Sequence, residues 1–470
     1  IGGGSSNTEE GGDAEIEIGG NSYVIARSVS AVDKKTGNVY PPGNGIGGGT
    51  GGYKNAYKIT DENGERTIPS YGGSATVTIS GNPTIRTGSV GGGKANNMGG
   101  KIGNATITVS GGDISAQFVM AGGADPSKPT VFTMSGGTIR NSDVKSEEFY
   151  HSSDNGGAVY MEDGTFTMTG GEIINCLAEN GGAVYIKKSD NAIQNPKFTM
   201  ENGLIEDCEA DYNGGAVYLE GGSVSITGGS INGNLARDGN GGGIYIAKGD
   251  FKMSNAVVSY NSALRRDNRD GNGGGVYATS PSGNINVTIS SGSIIYNSSD
   301  KNGGGVCVDM SGTTSGSATV NIGGSGTGPN INYNNAIKDG GGLYAIGTKA
   351  NVTIDGGSIS DNSVSNYVPN EDVANEWGTV VLNDGEVTHV VVSFDLNTSD
   401  TGAKLPAGEK NYQNIVTATN SYLKAPTPSR PLYNFGGWNS RADGLGAFYT
   451  DGQAMNIDKD ITLYAIWIAQ

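Results

Sequence analysis

The chain has little of the chemistry that enzymes and metalloproteins commonly use. Its 470 residues include only two histidines and three cysteines. Three cysteines are too few for a disulfide framework, and two histidines leave few groups for acid–base catalysis at neutral pH. No apolar run approaches the roughly 18 residues that a spanning helix needs, so no membrane-spanning segment is expected.

Charge is also scarce, and it is unbalanced. Charged residues make up 16% of the chain, and 47 acidic residues against 30 basic ones give a net charge of −17. An acidic surface repels phosphates, which argues against nucleic acid as a partner. Helices are disfavoured as well, because 82 glycines weaken them and no segment shows a helical apolar period.

The chain is rich in one repeat, clearest at residues 155–178, NGGAVYMEDGTFTMTGGEIINCLA. Each copy predicts three short strands, in GGAVYM, TFTMTG and EIIN, because β-branched or aromatic residues alternate there between glycines and asparagines. Strands repeated in this way without helices predict an all-β fold built on a right-handed parallel β-helix of about ten rungs.

Alternation within the strands predicts which side chains point inward. One inward column comes from the third strand and consists of Ile173, Ile205, Ile231, Val258, Ile294, Ile331 and Ile359. Three residues later lies a corner column of Cys176, Cys208, Asn234, Asn261, Asn297, Asn334 and Asn362. We interpret this corner column as a structural ladder of stacked amides, in which the two cysteines are adjacent free thiols.

Six copies carry a tyrosine directly after the inward aliphatic residue of the first strand. These candidate ligand-binding residues are Tyr160, Tyr185, Tyr218, Tyr245, Tyr277 and Tyr344. Alternation predicts that they point outward, each beside a glycine or alanine. Two interpretations stay open: the rings stack to stiffen the rod, or they form a platform for a glycan or an extended peptide.

The longest loops join the third strand of one copy to the first strand of the next. The loop at residues 262–272 carries Arg265, Arg266 and Arg269, which are further candidate ligand-binding residues. A solvated turn is one interpretation of this basic loop, and binding of an anionic sugar is the other.

Alternation of GGAVY or GGGVY with an apolar-x-x-Asn motif resembles the repeats of the chlamydial polymorphic outer membrane proteins. The resemblance covers about residues 70 to 365. In that family the second motif is Phe-x-x-Asn, whereas here isoleucine or valine replaces phenylalanine and two copies have cysteine for asparagine. The resemblance implies a surface-displayed β-helical adhesin.

The C-terminal segment resembles the Listeria–Bacteroides repeat of internalin-type surface proteins. The matched positions are Phe394, Asp395, Asn397, Pro428, Tyr433, Phe435, Gly437, Trp438, Asp460, Thr462, Leu463, Tyr464, Ala465 and Trp467. This resemblance implies a small β-grasp-like module of bacterial surface proteins. One departure is SRPLYNF, where the family usually has an Arg-x-Gly-Tyr-x-Phe run.

The sequence thus predicts four segments: a flexible tether at 1–13, an N-terminal cap at 14–70, the parallel β-helix at 71–388 and the repeat module at 389–470. We expect a non-enzymatic adhesin or structural protein of the bacterial cell surface, extracellular or secreted, that binds a host protein or a glycan. No catalytic residue, metal or cofactor is predicted. A monomer is expected, although the sequence leaves the oligomeric state open.

A second function remains open at this point. Parallel β-helices also occur in pectin-degrading enzymes, so the chain could be a carbohydrate-active protein, lyase-like or hydrolase-like, with a site built from its loops. The two histidines, His151 and His389, lie at the lip of one copy and at a domain boundary, and the paired carboxylates Glu371 and Asp372 lie in a linker, which favours the binding function.

Overall fold

The computed structural model describes residues 14–26, 31–32, 39–40, 46–47, 57–61, 64–68, 74–91, 104–120, 130–141, 155–188, 194–266, 270–323, 328–347, 349–355, 357–359, 361–365, 380–383, 389–406, 411–416, 421–423, 425–455 and 461–470. In these ranges the chain is all-β, and none of them contains an α-helix.

Successive copies of the repeat lie side by side as parallel strands in matched register. Val159 lies opposite Val184, and Val184 lies opposite Val217. Ile173 likewise lies opposite Ile205. Because the register keeps each side chain beside its equivalent in the next copy, identical side chains form columns along the stack.

Four strand columns, A to D, build this stack. Column A contains Val159–Met161, Val184–Ile186, Val276–Thr279, Val306–Asp309, Leu343–Ile346 and Val380–Asn383, with Ile46–Gly47 upstream. Column B contains Ala14–Ile18, Ala75–Ile79, Thr165–Met168, Lys197–Met200, Ile285–Ile289, Ala318–Gly323 and Ala350–Asp355. Column C contains Tyr23–Ala26, Glu172–Ile174, Leu204–Glu206, Ser230–Asn232, Val257–Ser259, Ser293–Ile295 and Asn330–Asn332.

Five longer strands run through more than one column. They are Thr84–Gly91, Ala105–Met120, Val131–Arg140, Val217–Ile226 and Ile244–Met253. Within the segment predicted to be a cap, Ala14–Ile18 pairs in parallel with Ala75–Ile79 and so extends column B upstream. Two antiparallel pairs also lie there: Ala31–Val32 with Val39–Tyr40, and Tyr57–Asp61 with Gly64–Ile68.

Column D is a fourth strand position that the sequence did not predict. It is a separate parallel sheet of seven strands, each two residues long. Its members are Leu177–Ala178, Glu209–Ala210, Leu235–Ala236, Ser262–Ala263, Ser298–Ser299, Asn335–Ala336 and Ser363–Val364. Two residues are too short to show an alternating pattern, so sequence reasoning had no signal for these strands.

Columns A, B and C share one apolar interior. Val159, Phe166 and Ile173 come from the three columns and belong to a single buried cluster. The third-strand column predicted to point inward is confirmed, since each of its members from Ile173 to Ile331 has no exposed surface. Phenylalanine rings stack along the same interior, with Phe166 and Phe198 centroids 4.8 Å apart. Each copy therefore buries its apolar face only because its neighbours cover it.

The Gly-Gly pair before each column A strand is required by the backbone. Gly214 has a φ of 67°, in the left-handed region that disfavours side chains. A Cβ on the next residue, Gly215, would lie 2.1 Å from the carbonyl oxygen of Gly242 in the following copy. The first glycine thus makes the turn, and the second lets adjacent backbones approach.

The corner column forms a continuous chain of hydrogen bonds, which confirms the predicted amide ladder. The side-chain Nδ2 of Asn261 donates to Oδ1 of Asn297 at 2.9 Å, and Asn297 donates in the same way to Asn334 at 2.9 Å. The bonds continue from Asn234 to Asn261 and from Asn334 to Asn362. Each buried amide also donates to a backbone carbonyl of the preceding copy, so the ladder satisfies polar groups that water cannot reach.

The cysteines of the corner column are free thiols, as predicted. All three cysteines of the chain are free and buried. Burial, followed by the neighbouring Cys208, raises the pKa of the Cys176 thiol well above its ordinary value. A neutral buried thiol reacts slowly, because the thiolate is the reactive form.

We expect these thiols to form no disulfide and to resist alkylation in the folded protein. Mass spectrometry under non-reducing conditions should show no loss of two protons, and iodoacetamide should label Cys176 and Cys208 only after unfolding in urea. Labelling of either residue at the rate of a model thiol in the native protein would contradict the buried column.

The C-terminal part has its own sheet and its own core. Five strands lie in the order Tyr412–Val416, His389–Asp395, Ile461–Ala469, Tyr433–Asn439 and Phe448–Tyr449. A separate pair is formed by Ser421–Tyr422 and Ala454–Met455. Trp438 is buried in this core with Phe394 and Leu463, and its Nε1 donates to the Pro426 carbonyl oxygen at 2.7 Å.

The departure SRPLYNF has a structural consequence at Leu432. This residue occupies the glycine position of the resembled family and has a φ of 65° with a side chain that is 78% exposed. A left-handed conformation costs a branched residue about 1–2 kcal/mol, whereas glycine adopts it freely.

Replacing Leu432 with glycine should therefore stabilise the C-terminal sheet by roughly 0.5–1 kcal/mol, after the gain of unfolded-state entropy that glycine brings is subtracted. Urea unfolding followed by Trp438 fluorescence measures the change. Leu445→Gly is the matched control, because Leu445 is 79% exposed without a positive φ. A lower stability for Leu432→Gly than for Leu445→Gly would contradict the interpretation.

Candidate functional site

The six tyrosines predicted as a ladder lie along column A, where five of them stack ring on ring, and we call all six the buried tyrosine column. Ring centroids of Tyr185 and Tyr218 are 5.0 Å apart, and those of Tyr218 and Tyr245 are 4.7 Å apart. The stack continues to Tyr160 and to Tyr277. Cys307 fills the position between Tyr277 and Tyr344, since it pairs with both in register.

These rings lie on the opposite face from the apolar interior, but they do not form an open surface. Tyr185 and Tyr277 are each 5% exposed and Tyr344 is 6% exposed, whereas the other three are half-buried. Tyr277, Cys307 and Tyr344 form a buried cluster of their own. Alternation predicted the side of the strand correctly, but it did not predict this burial.

Glycine turns and carboxylates cover the column. A Cβ at Gly273 would lie 2.7 Å from Cβ of Tyr277, so the turn packs directly on the tyrosine. The hydroxyl of Tyr185 hydrogen-bonds to the carboxylate of Glu220. Burial first, and Glu220 second, raises the pKa of Tyr185 far above that of a free phenol. The column is therefore a row of neutral phenols inside the protein, which suits a structural role better than a glycan platform.

The burial of the column makes stability depend on alkaline pH. Burial, with Asp309 and Glu220 nearby, raises the pKa of Tyr245 to about 12. An unfolded tyrosine ionises near pH 10, so between about pH 10 and 12 the unfolded state loses protons that the folded state keeps. Tyr245 thus contributes stability that is complete below about pH 10 and falls by about 1.4 kcal/mol per pH unit above it.

Urea unfolding of the wild type and of Tyr245→Phe at several alkaline pH values tests this dependence. We expect a shallower loss of stability for the phenylalanine variant, because the remaining tyrosines still ionise and residue 245 no longer does. Parallel stability curves for the two proteins across this range would contradict the assignment.

The basic loop is only partly described. Arg265 and Arg266 are exposed, and their backbone N–H groups donate to the carboxylates of Asp300 at 2.9 Å and Asp238 at 3.0 Å. Arg269, the third candidate, lies outside the described residues. The two described side chains are thus presented to solvent from a backbone anchored to neighbouring copies, and their role in binding stays a prediction.

Sequence reasoning missed a second set of aromatic residues, the exposed tyrosine ladder of Tyr260, Tyr296 and Tyr333. These side chains are 61%, 45% and 51% exposed. Their centroids are 5.1 Å and 5.2 Å apart along the stack, with nearly parallel rings. The signal was present in the sequence, since each tyrosine directly precedes an asparagine of the corner column.

The backbone of this exposed ladder is unusual. The three tyrosines have φ values of 55°, 56° and 59°. Such a left-handed conformation costs a bulky residue about 1–2 kcal/mol, and it is a genuine outlier for a side chain of this size. The equivalent corner in other copies holds Asn175, Asp207, Gly233 or Asp361, also at positive φ, which are residue types that tolerate it.

A second amide ladder, also missed, precedes the Gly-Gly pairs. Its members are Asn155, Asn180, Asn213, Asn240, Asn272 and Asn302. The backbone N–H of Asn272 donates to Oδ1 of Asn240 at 2.8 Å, and that of Asn302 donates to Oδ1 of Asn272 at 3.1 Å. The recurring Asn-Gly-Gly triplet was the available signal. In this second ladder each asparagine donates to the asparagine of the preceding copy. In the corner ladder each asparagine donates to the asparagine of the following copy.

Asp113 has the most developed charge environment among the described carboxylates. It lies 3.0 Å from Arg86 Nη2 and 2.6 Å from Arg140 Nη2. Burial alone would raise the pKa of Asp113, but hydrogen bonds and charge from the two arginines bring it below its ordinary value. Within the described ranges, no group of three or more histidine, cysteine or carboxylate residues is placed to hold a metal ion.

Comparison with known proteins identifies one segment of the chain. The family model of the Listeria-Bacteroides repeat domain matches residues 391–466. This match confirms the resemblance drawn from residues such as Phe394, Trp438 and Leu463, and no family was found to match the upstream repeats. No curated protein matches the chain, and no solved structure matches it either. Among the described residues, no helix is long and apolar enough to cross a membrane.

Proposed function

We propose that the chain is a non-enzymatic adhesive or structural protein of the bacterial cell surface, extracellular or secreted. In this proposal the upstream repeats form a right-handed parallel β-helix of about ten rungs that acts as a rod. The C-terminal segment is a β-grasp-like module, and host proteins or glycans are the partners. The observation that carries the proposal is the Listeria-Bacteroides repeat at residues 391–466, a domain typical of extracellular or surface proteins, on the same chain as the stacked repeat.

The continuity of the stack supports a scaffolding role. The amide bonds of the corner ladder run through successive copies from Asn234 to Asn362, and the rings of the buried tyrosine column stack from Tyr160 to Tyr277. Such ladders resist local opening, because a copy that separates leaves polar groups unpaired on both sides. A rigid stack suits a protein that holds a binding surface away from the cell.

Two carboxylates with well-defined partners, Asp113 and Glu220, favour binding over catalysis. A general acid needs a proton near neutral pH, and the arginines beside Asp113 keep that carboxyl ionised. Glu220, another carboxylate in the stack, is the hydrogen-bond partner of a buried phenol. These groups have structural partners, which supports the non-enzymatic function.

Binding and turnover measured on the same preparation test the proposal. The intact chain should bind saturably to at least one host extracellular-matrix protein or immobilised glycan, and it should release no reducing ends or unsaturated products from a polysaccharide panel. Arg265→Ala/Arg266→Ala distinguishes an anionic ligand at the basic loop from binding elsewhere. Release of products would replace the proposal with the carbohydrate-active alternative, and absence of any binding would leave only a structural role.

A further inference from the structure

We infer that the exposed tyrosine ladder of Tyr260, Tyr296 and Tyr333 is a binding site for an uncharged, extended polysaccharide that lies along the axis of the stack. This inference rests on the proposed function of a non-enzymatic binding protein and names a ligand class and a site for it. The ladder is distinct from the buried tyrosine column and from the basic loop.

Stability alone does not explain the ladder. Three tyrosines adopt a left-handed backbone at a corner where other copies use Asn175, Asp207 or Gly233. The three strained backbone positions are accompanied by only two ring-stacking contacts, and both contacts are between exposed side chains. Residues held in unfavourable backbone conformations cluster at functional sites, so the outlier points to a role for the exposed rings.

Exposure along the ladder shows which surfaces a ligand can reach. The middle ring, Tyr296, is the least exposed at 45%, because both of its faces meet a neighbour. Tyr260 is the most exposed at 61%, and the equivalent residue of the preceding copy is Gly233, which has no side chain to cover it. The site therefore offers ring edges and hydroxyls along its length and a free aromatic face at the Tyr260 end.

The three segments that contain the ladder are uncharged, and the equivalent position of the following copy holds an acidic residue, Asp361. Residues 257–263, 293–299 and 330–336, which contain the three tyrosines, include no charged residue, although the whole chain has a net charge of −17. By contrast, the equivalent segment 204–210 contains Glu206, Asp207 and Glu209. A neutral surface with aromatic groups suits a neutral ligand and offers nothing to the phosphates of a nucleic acid.

Hydroxyl and amide groups border the rings. Ser262 and Ser298 lie two residues after their tyrosines, and their hydroxyl oxygens are 2.9 Å apart. Asn335 continues this row and donates from Nδ2 to the hydroxyl of Ser363 at 2.7 Å. Sugars are recognised by this combination of aromatic rings with neutral donors and acceptors.

The spacing of the ladder separates a sugar chain from a peptide. Side chains on one face of an extended peptide repeat at about 6.6–6.8 Å, which is two residues of a strand. The ladder steps are 5.1 Å and 5.2 Å, so a bound strand would lose register within three rings. An extended β-1,4-linked chain advances by one pyranose ring and one glycosidic oxygen, which is close to one ladder step.

The triple variant Tyr260→Asn/Tyr296→Asn/Tyr333→Asn tests the site without disturbing the backbone, because Asn175 already adopts the same conformation at φ 52°. The probes are cellohexaose in titration calorimetry and microcrystalline cellulose in depletion assays. We expect the wild type to bind both and the variant to lose at least about tenfold in affinity, with an equal or higher melting temperature. Added sodium chloride should leave wild-type binding unchanged, because no charge contributes.

The matched control is Thr319→Ala/Asn321→Ala/Thr353→Ala, which removes exposed side chains from column B and should retain binding. Polygalacturonate, an extended chain with a carboxylate on each ring, should bind more weakly than cellohexaose. Full affinity in the triple asparagine variant, or preference for polygalacturonate, would overturn the inference. So would a wild type that binds none of cellohexaose, xylohexaose and chitohexaose.

A single-residue variant and a parallel assay of matrix binding cover the cases in which the triple variant misfolds or the wild type does not bind cellulose. If the triple variant does not fold, Tyr260→Gly copies Gly233 and removes only the most exposed ring, so unchanged cellohexaose affinity in that variant would equally overturn the site. Binding of the intact chain to host extracellular-matrix proteins is measured in parallel. Matrix binding without cellulose binding would reject the ladder and leave the proposed function standing, whereas no binding to any surface would reject the ladder and leave only the structural form of the proposed function.

Discussion

Asn297→Leu is expected to lower the free energy of unfolding by about 3–5 kcal/mol. Asn297 is 1% exposed, and its Oδ1 accepts from both the backbone N–H and the Nδ2 of Asn261. Its Nδ2 donates to the carbonyl oxygens of Val258 and Ile295 and to Oδ1 of Asn334. Leucine has a similar volume but leaves several of these buried groups unpaired, at about 1–3 kcal/mol each.

Equilibrium unfolding in urea measures this loss, and two variants calibrate it. Asn286→Leu changes an exposed asparagine whose hydrogen bond to Asp250 lies in solvent, and it should alter stability by no more than about 0.5 kcal/mol. Asn297→Cys copies Cys176 and Cys208 of the same column and should give an intermediate loss, since a thiol donates weakly and accepts poorly. Equal midpoints for Asn297→Leu and Asn286→Leu would show that the amide ladder does not hold the copies together.

The features that the sequence predicted well are those that repeat at every copy. Inward residues such as Ile231 and Val276 were identified because strand alternation requires one face to be apolar, and both are fully buried. The corner asparagines were interpreted correctly for a related reason. A polar residue at a constant offset from an inward residue must lie at one place in every copy, where only an equivalent amide can satisfy it.

Strand alternation in the sequence could not predict that the tyrosine column is buried. Alternation places Tyr185 on the outer face of its strand, but exposure depends on what covers that face. Here the cover comes from glycine turns of the same repeat and from Glu220 in the next copy. The contacts of an outer face depend on loops, and the conformation of a loop does not follow from the alternation of residues in a strand.

The exposed tyrosine ladder was missed for the opposite reason. Tyr260, Tyr296 and Tyr333 occupy a turn between two strands, outside the alternating segments to which the strand pattern applies. The site predictions of the sequence therefore concentrated on strand residues. Aromatic residues at a recurrent turn position, where other copies have asparagine, aspartate or glycine, were the informative anomaly.

Ile231→Asp should destabilise the whole stack by about 5 kcal/mol or more, because it removes a buried aliphatic side chain and places a carboxylate in an apolar interior. Ile231 has no exposed surface and lies in register between Ile205 and Val258, which are equally buried. The variant carboxyl prefers its neutral form when folded, so its folded-state pKa is raised. The damage should therefore be smallest below about pH 4, where the unfolded carboxyl is also protonated, and should grow as pH rises.

Hydrogen exchange locates the effect of Ile231→Asp as well as measuring it. Protection should fall throughout the copies at residues 155–365, because each copy buries its apolar face against its neighbours, and it should persist at residues 389–470, which have a core of their own around Trp438. Ile231→Val should lose only about 0.5–1.5 kcal/mol, and Thr319→Asp, at an exposed position, should be within about 0.5 kcal/mol of the wild type. Native protection and unchanged unfolding in Ile231→Asp would mean that this column does not form the interior of the stack.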